Sequence, residues 1–287
     1  MKKNHDLFNL IRSLSRTEKR YFTLDARKAG KRQSRYLQLF QEINKLEEYD
    51  EKGLKTLFKS SLADDKARLY EAILRAMRDF RSSRSQAARI KELLLDANFL
   101  YERGLYDQCE KRLAEARQIA EELEDQLALL EINRESRRVI NTLIRTEDKD
   151  LLDYLKQNTR YRLGLLENEF RYLDTHDELI QDLHSLRRGT LATQKEKLKQ
   201  QYENQLFSVQ EPDSLQGRLR YYQARAIFNE LMGDPAGVYQ NFRRVNELWN
   251  ENPAYKAEEF NRYLDDAFNL LHATFQYPSV VSEASTL

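Results

Sequence analysis

The chain has 287 residues and a formal net charge of +1; a third of its residues are charged and only twelve are Gly or Pro. That composition, rich in Leu, Glu, Lys, Arg and Ala, favours long helices and excludes low-complexity and disordered classes, so almost no β-structure is expected. A single cysteine, Cys109, excludes a disulfide framework, and no window approaches the ~20 apolar residues that a membrane helix needs.

The N-terminal stretch is basic but has no uninterrupted apolar segment, so it reads as an amphipathic helix rather than a secretory signal, and a cytoplasmic protein is expected. Leu7, Leu10, Ile11 and Leu14 follow helical spacing. Ser15-Arg16-Thr17-Glu18 is a capping box that opens a second helix containing Tyr21 and Phe22. Residues 27 to 35 then carry five cations, Arg27, Lys28, Lys31, Arg32 and Arg35, around Gly30, and read as a basic loop. Tyr36, Leu37, Phe40 and Ile43 begin a third helix, Leu54, Leu57 and Phe58 a short fourth, and Leu69, Ile73, Leu74 and Met77 a fifth. Residues 1 to 90 hold 22 Lys or Arg against 12 Asp or Glu, whereas residues 91 to 287 hold 26 against 35. The chain is therefore expected to consist of a basic helical module at 1–90 and an acidic region at 91–287.

The second region contains a pattern that occurs twice, 129 residues apart. Around Gly104 stand Leu93, Ala97, Cys109, Leu113 and Ala116; around Gly233, at the same offsets, stand Tyr222, Ala226, Val238, Phe242 and Val245. The glycine marks a helix reversal, because glycine adopts left-handed dihedrals at little cost, and the alanine permits a close helix crossing. Cys109 falls at a small-residue position and is expected to be an inert core thiol. The first hairpin is expected at about 91–102 and 106–123; further helices are expected near 127–144, 148–165, 167–187 and 192–207, with a break at 164–166. The loop at residues 212 to 214 precedes the second full hairpin. Tyr263, Ala267, Leu270 and Leu271 look like the first helix of a further unit, and Pro278 would open a partner helix bearing Val280, Val281, Ala284 and Leu287. That last repeat is incomplete, and the expectation is either that the chain is cut from a longer protein or that its C-terminal edge pairs with another copy.

At these residues the sequence resembles the tetratricopeptide repeat, over about 31 residues in each of two units and more loosely in the 95 residues between them. Glu121 and Asn250 stand at the usual terminal proline position, and Asn229 replaces an aromatic. The whole arrangement is also similar to a group of long, functionally uncharacterised bacterial helical-repeat proteins. The resemblance implies an all-α solenoid of stacked antiparallel hairpins, and it carries no chemistry.

Catalytic and cofactor motifs find no support in the residues. The four histidines are scattered; His176 and His184 are eight residues apart, about 12 Å along a helix, too far for one ion. Thr175-His176-Asp177-Glu178 reads as a capping box on a solvated turn. There is no Gly-rich phosphate loop, and nothing singles out a Ser-His-Asp set. No cofactor, metal or catalytic residue is expected, and a metal-dependent hydrolase is the least supported reading. The expected function is a non-catalytic scaffold that binds a protein or peptide through a helical-repeat surface. The alternative is nucleic-acid binding by Arg27, Lys28, Lys31, Arg32 and Arg35, with Arg16, Lys19, Arg20 and Tyr21 nearby. A helix-turn-helix at 51–60 and 64–82 is weaker, because Asp64 and Asp65 would face the phosphates.

Overall fold

The computed structural model describes residues 5–28, 35–58, 61–82, 85–143, 149–186, 192–207 and 210–277. Among them there are fourteen helices and no strand, an all-α arrangement compatible with a helical-repeat fold. The chain divides into two compact units, Met1–Arg89 and Ile90–Leu287.

Unit 1 contains α1 (Asp6–Ser13), α2 (Arg16–Lys28), α3 (Arg35–Lys45), α4 (Glu51–Phe58) and α5 (Leu62–Ser82). The capping box that opens α2 is formed: Glu18 N–H donates to Ser15 Oγ at 3.2 Å and Ser15 N–H to a Glu18 carboxylate oxygen at 2.7 Å. The Ser15 N–H bond holds the Glu18 carboxyl below its ordinary range, with burial opposing it and the Ser15 hydroxyl and Arg81 charge adding to it. α2, α3 and α4 each pack on α5, and α1 packs on α3. Their shared core contains Ile11, Phe22, Leu37, Phe40, Ile43, Leu54, Leu69 and Ile73, each buried side chain contributing roughly 1.5–3 kcal/mol. Leu57 of α4, unlike Leu54 and Phe58, faces solvent.

Unit 2 takes the greater part of α6 (Gln86–Glu102), then α7 (Tyr106–Glu122), α8 (Gln126–Leu143), α9 (Lys149–Leu186), α10 (Ala192–Phe207), α11 (Leu215–Met232), α12 (Pro235–Glu251), α13 (Pro253–Glu258) and α14 (Phe260–Gln276). Successive packing runs α7 on α8, α8 on α9, α9 on α11, α11 on α12 and α12 on α14, with α10 also on α11. No helix among the described residues is long and apolar enough to cross a membrane.

The residues of the duplicated pattern lie where a shared packing role puts them. Leu93, Ala97, Cys109, Leu113 and Ala116 join one buried cluster, while Ala226, Val238 and Val245 are buried and Tyr222 and Phe242 half-buried. Burial pushes the Cys109 thiol up. Both glycines have positive φ, 71° at Gly104 and 77° at Gly233. The two turns also make the same pair of bonds: Gly104 N–H to Tyr101 O and Leu105 N–H to Leu100 O, against Gly233 N–H to Glu230 O and Asp234 N–H to Asn229 O. Asn229, where the repeat has an aromatic, fits because Gly237 opposite it has no Cβ; one there would meet Asn229 Nδ2 at 1.9 Å.

The structure departs from the sequence reading in several places. α9 is one helix of 38 residues with no break at 164–166, since Leu165, Tyr172 and Leu179 continue one buried stripe at seven-residue spacing. Thr175 therefore caps nothing: it is 4 % exposed in mid-helix, and its hydroxyl returns to Arg171 O at 2.9 Å. The neighbouring His176 is half-buried rather than solvated, and burial depresses its imidazole. Of Tyr263, Ala267, Leu270 and Leu271, grouped as the first helix of a further unit, the first three are half-buried and Leu271 is exposed. The expected helix after Pro278, the basic residues Lys31 and Arg32, and the Lys28 side chain lie outside the described residues.

Candidate partner-binding surface

The face of α6 opposite its core residues carries two large apolar side chains among polar ones. Leu93 and Ala97 point inward, and two residues further on, about 200° around the helix, Leu95 and Phe99 stand 72 % and 55 % exposed. A pair of large apolar side chains four residues apart forms a continuous ridge, and the hydrophobic effect favours its burial by a partner.

Polar bonds fix α8 beside that ridge. Arg138 Nη1 donates to Asn98 Oδ1 at 3.2 Å, and its guanidinium lies 3.8 Å from the centre of the Tyr101 ring. Thr142 donates its hydroxyl proton to Arg138 O at 2.9 Å. Tyr101 must then be the donor in its 2.7 Å bond to Thr142 Oγ1, because a threonine has one hydroxyl hydrogen. Arg138 is thus held by Asn98, Tyr101 and Glu135, and this ladder sets the spacing of α6 and α8.

Two open grooves flank this ladder. One, of about 500 Å³, runs between α6 and α7 and is lined by Asp96, Phe99, Leu100, Gln108, Lys111, Arg112 and Glu115. The other, of about 630 Å³, lies between α8 and α9 and is lined by Leu130, Arg134, Arg137, Arg138, Asn141, Thr142 and Thr159. Arg134, Arg137 and Arg138 share one side of α8, and Glu131 and Glu135 partly offset them through contacts of 2.9 to 3.4 Å to Arg134 and Arg138. Such a surface offers an apolar anchor point beside fixed donors, which suits recognition of a peptide.

A smaller cavity of about 140 Å³ lies where α8, α9 and α11 meet, lined by Asp125, Gln126, Glu169, Phe170, Gln216 and Arg220 among others. Burial raises the Glu169 carboxyl, with the Ser214 hydroxyl opposing and the charges of Glu124 and Asp125 adding to the rise. Beside it, Glu124 has φ 49° in the turn between α7 and α8 and accepts the Leu215 N–H at 2.8 Å. The turn repeats the bonds seen at the two glycines, with Glu124 N–H to Glu121 O and Asp125 N–H to Ala120 O. Among the described residues no three His, Cys, Asp or Glu side chains are placed to hold a metal ion.

Of the five basic residues singled out in unit 1, Arg27 and Arg35 have described side chains. Arg27 is exposed, but Arg35 Nε binds Asp65 Oδ2 at 2.7 Å, and the same guanidinium reaches Phe58 O and Ser61 Oγ. Asp65, at the start of α5, is 7 % exposed and consumed by that contact. Tyr21 packs against Phe80, their ring centres 5.0 Å apart. Leu95, Phe99 and the Arg138 ladder escaped the sequence reading, although two apolar residues off the core register of α6 were a legible signal. Comparisons with family models, with curated proteins and with solved structures find no match to this chain.

Proposed function

We propose that this chain is a non-catalytic scaffold, a tetratricopeptide-like solenoid of stacked helical hairpins that binds a protein or peptide partner along α6 and α8. The observation that carries this reading is the exposed ridge of Leu95 and Phe99 beside the Asn98, Tyr101, Arg138 and Thr142 ladder. A repeat architecture is supported by the duplicated pattern and by the matching turn bonds at Gly104 and Gly233. Nucleic-acid binding by the basic module is the weaker reading, because Arg35 is already bonded to Asp65.

The test is affinity capture from cells with the intact chain and with a Leu95→Asp, Phe99→Asp double variant, checked for unchanged helicity. A discrete protein retained by the parent and lost from the variant is the expected result. Retention that is equal for both would remove this face as the binding site.

A further inference from the structure

The last described helix has a second apolar face that its own core does not use. α14 buries Asp266 and Ala273, while Phe260, Leu264, Phe268, Leu271 and Phe275 are 51, 47, 67, 51 and 76 % exposed. Steps of three and four residues keep all five on one side of the helix, and the run from Leu264 to Phe275 has the alternating spacing of a helix-pairing seam. Taking about 200 Å² for a fully exposed phenylalanine, the three phenylalanines alone leave about 400 Å² of apolar surface in water. That equals the largest patch of an ordinary monomer, about 300–600 Å², before the leucines are added.

The stripe reads the same from either end: Phe, Leu, Phe, Leu, Phe, with a four-residue step at each end. Placed against a second copy turned end for end about an axis between Ala267 and Phe268, Phe260 meets Phe275 and Leu264 meets Leu271. Phe268 then lies over the small Ala267 of the second copy. Asp265 and His272 each follow one of the two leucines and so lie on the same flank of the seam; in this register the carboxylate of one copy comes beside the imidazole of the other. In a parallel pair these flanks would lie on opposite sides of the seam, and Asp265 of one copy would not reach His272 of the other. The remaining exposed polar residues of the face, Asn261, Asn269 and Gln276, are uncharged, as the centre of a protein interface requires.

We propose that α14 pairs antiparallel with α14 of a second copy of this chain, making an isologous dimer centred on Ala267 and Phe268. This stands independently of the binding surface on α6 and α8.

Sedimentation equilibrium of the full chain is expected to show a concentration-dependent dimer, and Phe268→Asp to weaken it by more than about tenfold with helicity unchanged. Register is read separately by a short bis-maleimide on Phe260→Cys and Phe275→Cys single variants, against a silent background because Cys109 is buried. Mixing the two variants is expected to give a cross-linked dimer, while Phe260→Cys alone gives none, its two thiols lying at opposite ends of the pair, about 22 Å apart. The proposal is overturned by a monomer at every concentration, by a dimer that survives Phe268→Asp, or by Phe260→Cys linking to itself as readily as to Phe275→Cys. Should Phe268→Asp unfold, the cross-linking pattern alone decides.

Discussion

The indole N–H of Trp249 donates to Asp266 Oδ2 at 2.8 Å, and this bond ties α12 to α14 inside the core. Gln223 of α11 donates to the other carboxylate oxygen at 2.6 Å, so three helices converge on one buried acid. Trp249 also stacks on Tyr255, ring centres 5.2 Å apart. Burial raises the Asp266 carboxyl, with the Trp249 and Gln223 bonds and the Arg262 and Arg220 charges opposing.

Removing that acceptor strands two buried donors. Asp266→Ala is expected to destabilise the protein by about 1–3 kcal/mol in urea unfolding. The pH dependence follows from the direction of the shift: the native state holds this proton more tightly than the unfolded chain. Its contribution is therefore fully present below the ordinary aspartate value of 3.8 and is lost as pH rises through the raised value. Asp266→Asn is expected to remove that part of the slope; an unchanged slope would assign it to other groups.

Gly104 and Gly233 offer a clean measure of backbone conformation. A Cβ at either position would meet nothing within 4 Å, so substitution by Ala acts through the positive φ alone. Each Ala variant is expected to lose about 1–2 kcal/mol. Equal loss at both sites, read from melting curves, is the expected outcome, because the two turns make the same bonds.

Glu124 occupies the same conformation without being glycine, and its side chain accepts the Leu215 N–H across 91 residues of sequence. Glu124→Ala keeps the strain and loses the bond, and is expected to be about 0.5–2 kcal/mol less stable. Glu124→Gly loses the bond but relieves the strain, and so is expected to stand closer to the parent. An Ala variant as stable as the Gly variant would show that the backbone there is unstrained.

Arg35 and Arg27 are neighbours in sequence with different roles. Arg35→Ser leaves the buried Asp65 carboxylate with Ser61 as its remaining partner and is expected to cost about 1–3 kcal/mol. Arg27→Ser, on an exposed side chain, is expected to change stability by less than about 0.5 kcal/mol.

Much of this fold was legible in the sequence where one residue type has one plausible use. Ser15 with Glu18 forms its capping box, and the residues around Gly104 pack as their spacing implies. The long α9 was hidden because the expectation of hairpins divided 148–187 into two helices at 164–166, although Leu165, Tyr172 and Leu179 carried the contrary signal. α14 is apolar on both sides, so periodicity alone does not say which side is inward; the Trp249 to Asp266 bond decides it, and that contact has no local signature. The role of Arg35 was hidden for the same reason: its partner Asp65 is thirty residues away. On α6 the ridge was masked by three consecutive leucines, of which Leu93 is core and Leu95 is not.

The most direct measurement of the central claim is site-specific photo-cross-linking in cells, with a benzophenone side chain in place of Phe99 and, as a control, in place of exposed Leu57 of α4. The account predicts an adduct of one discrete protein mass at position 99 and none of that mass at position 57. No adduct at 99, or the same adduct at both positions, would contradict it.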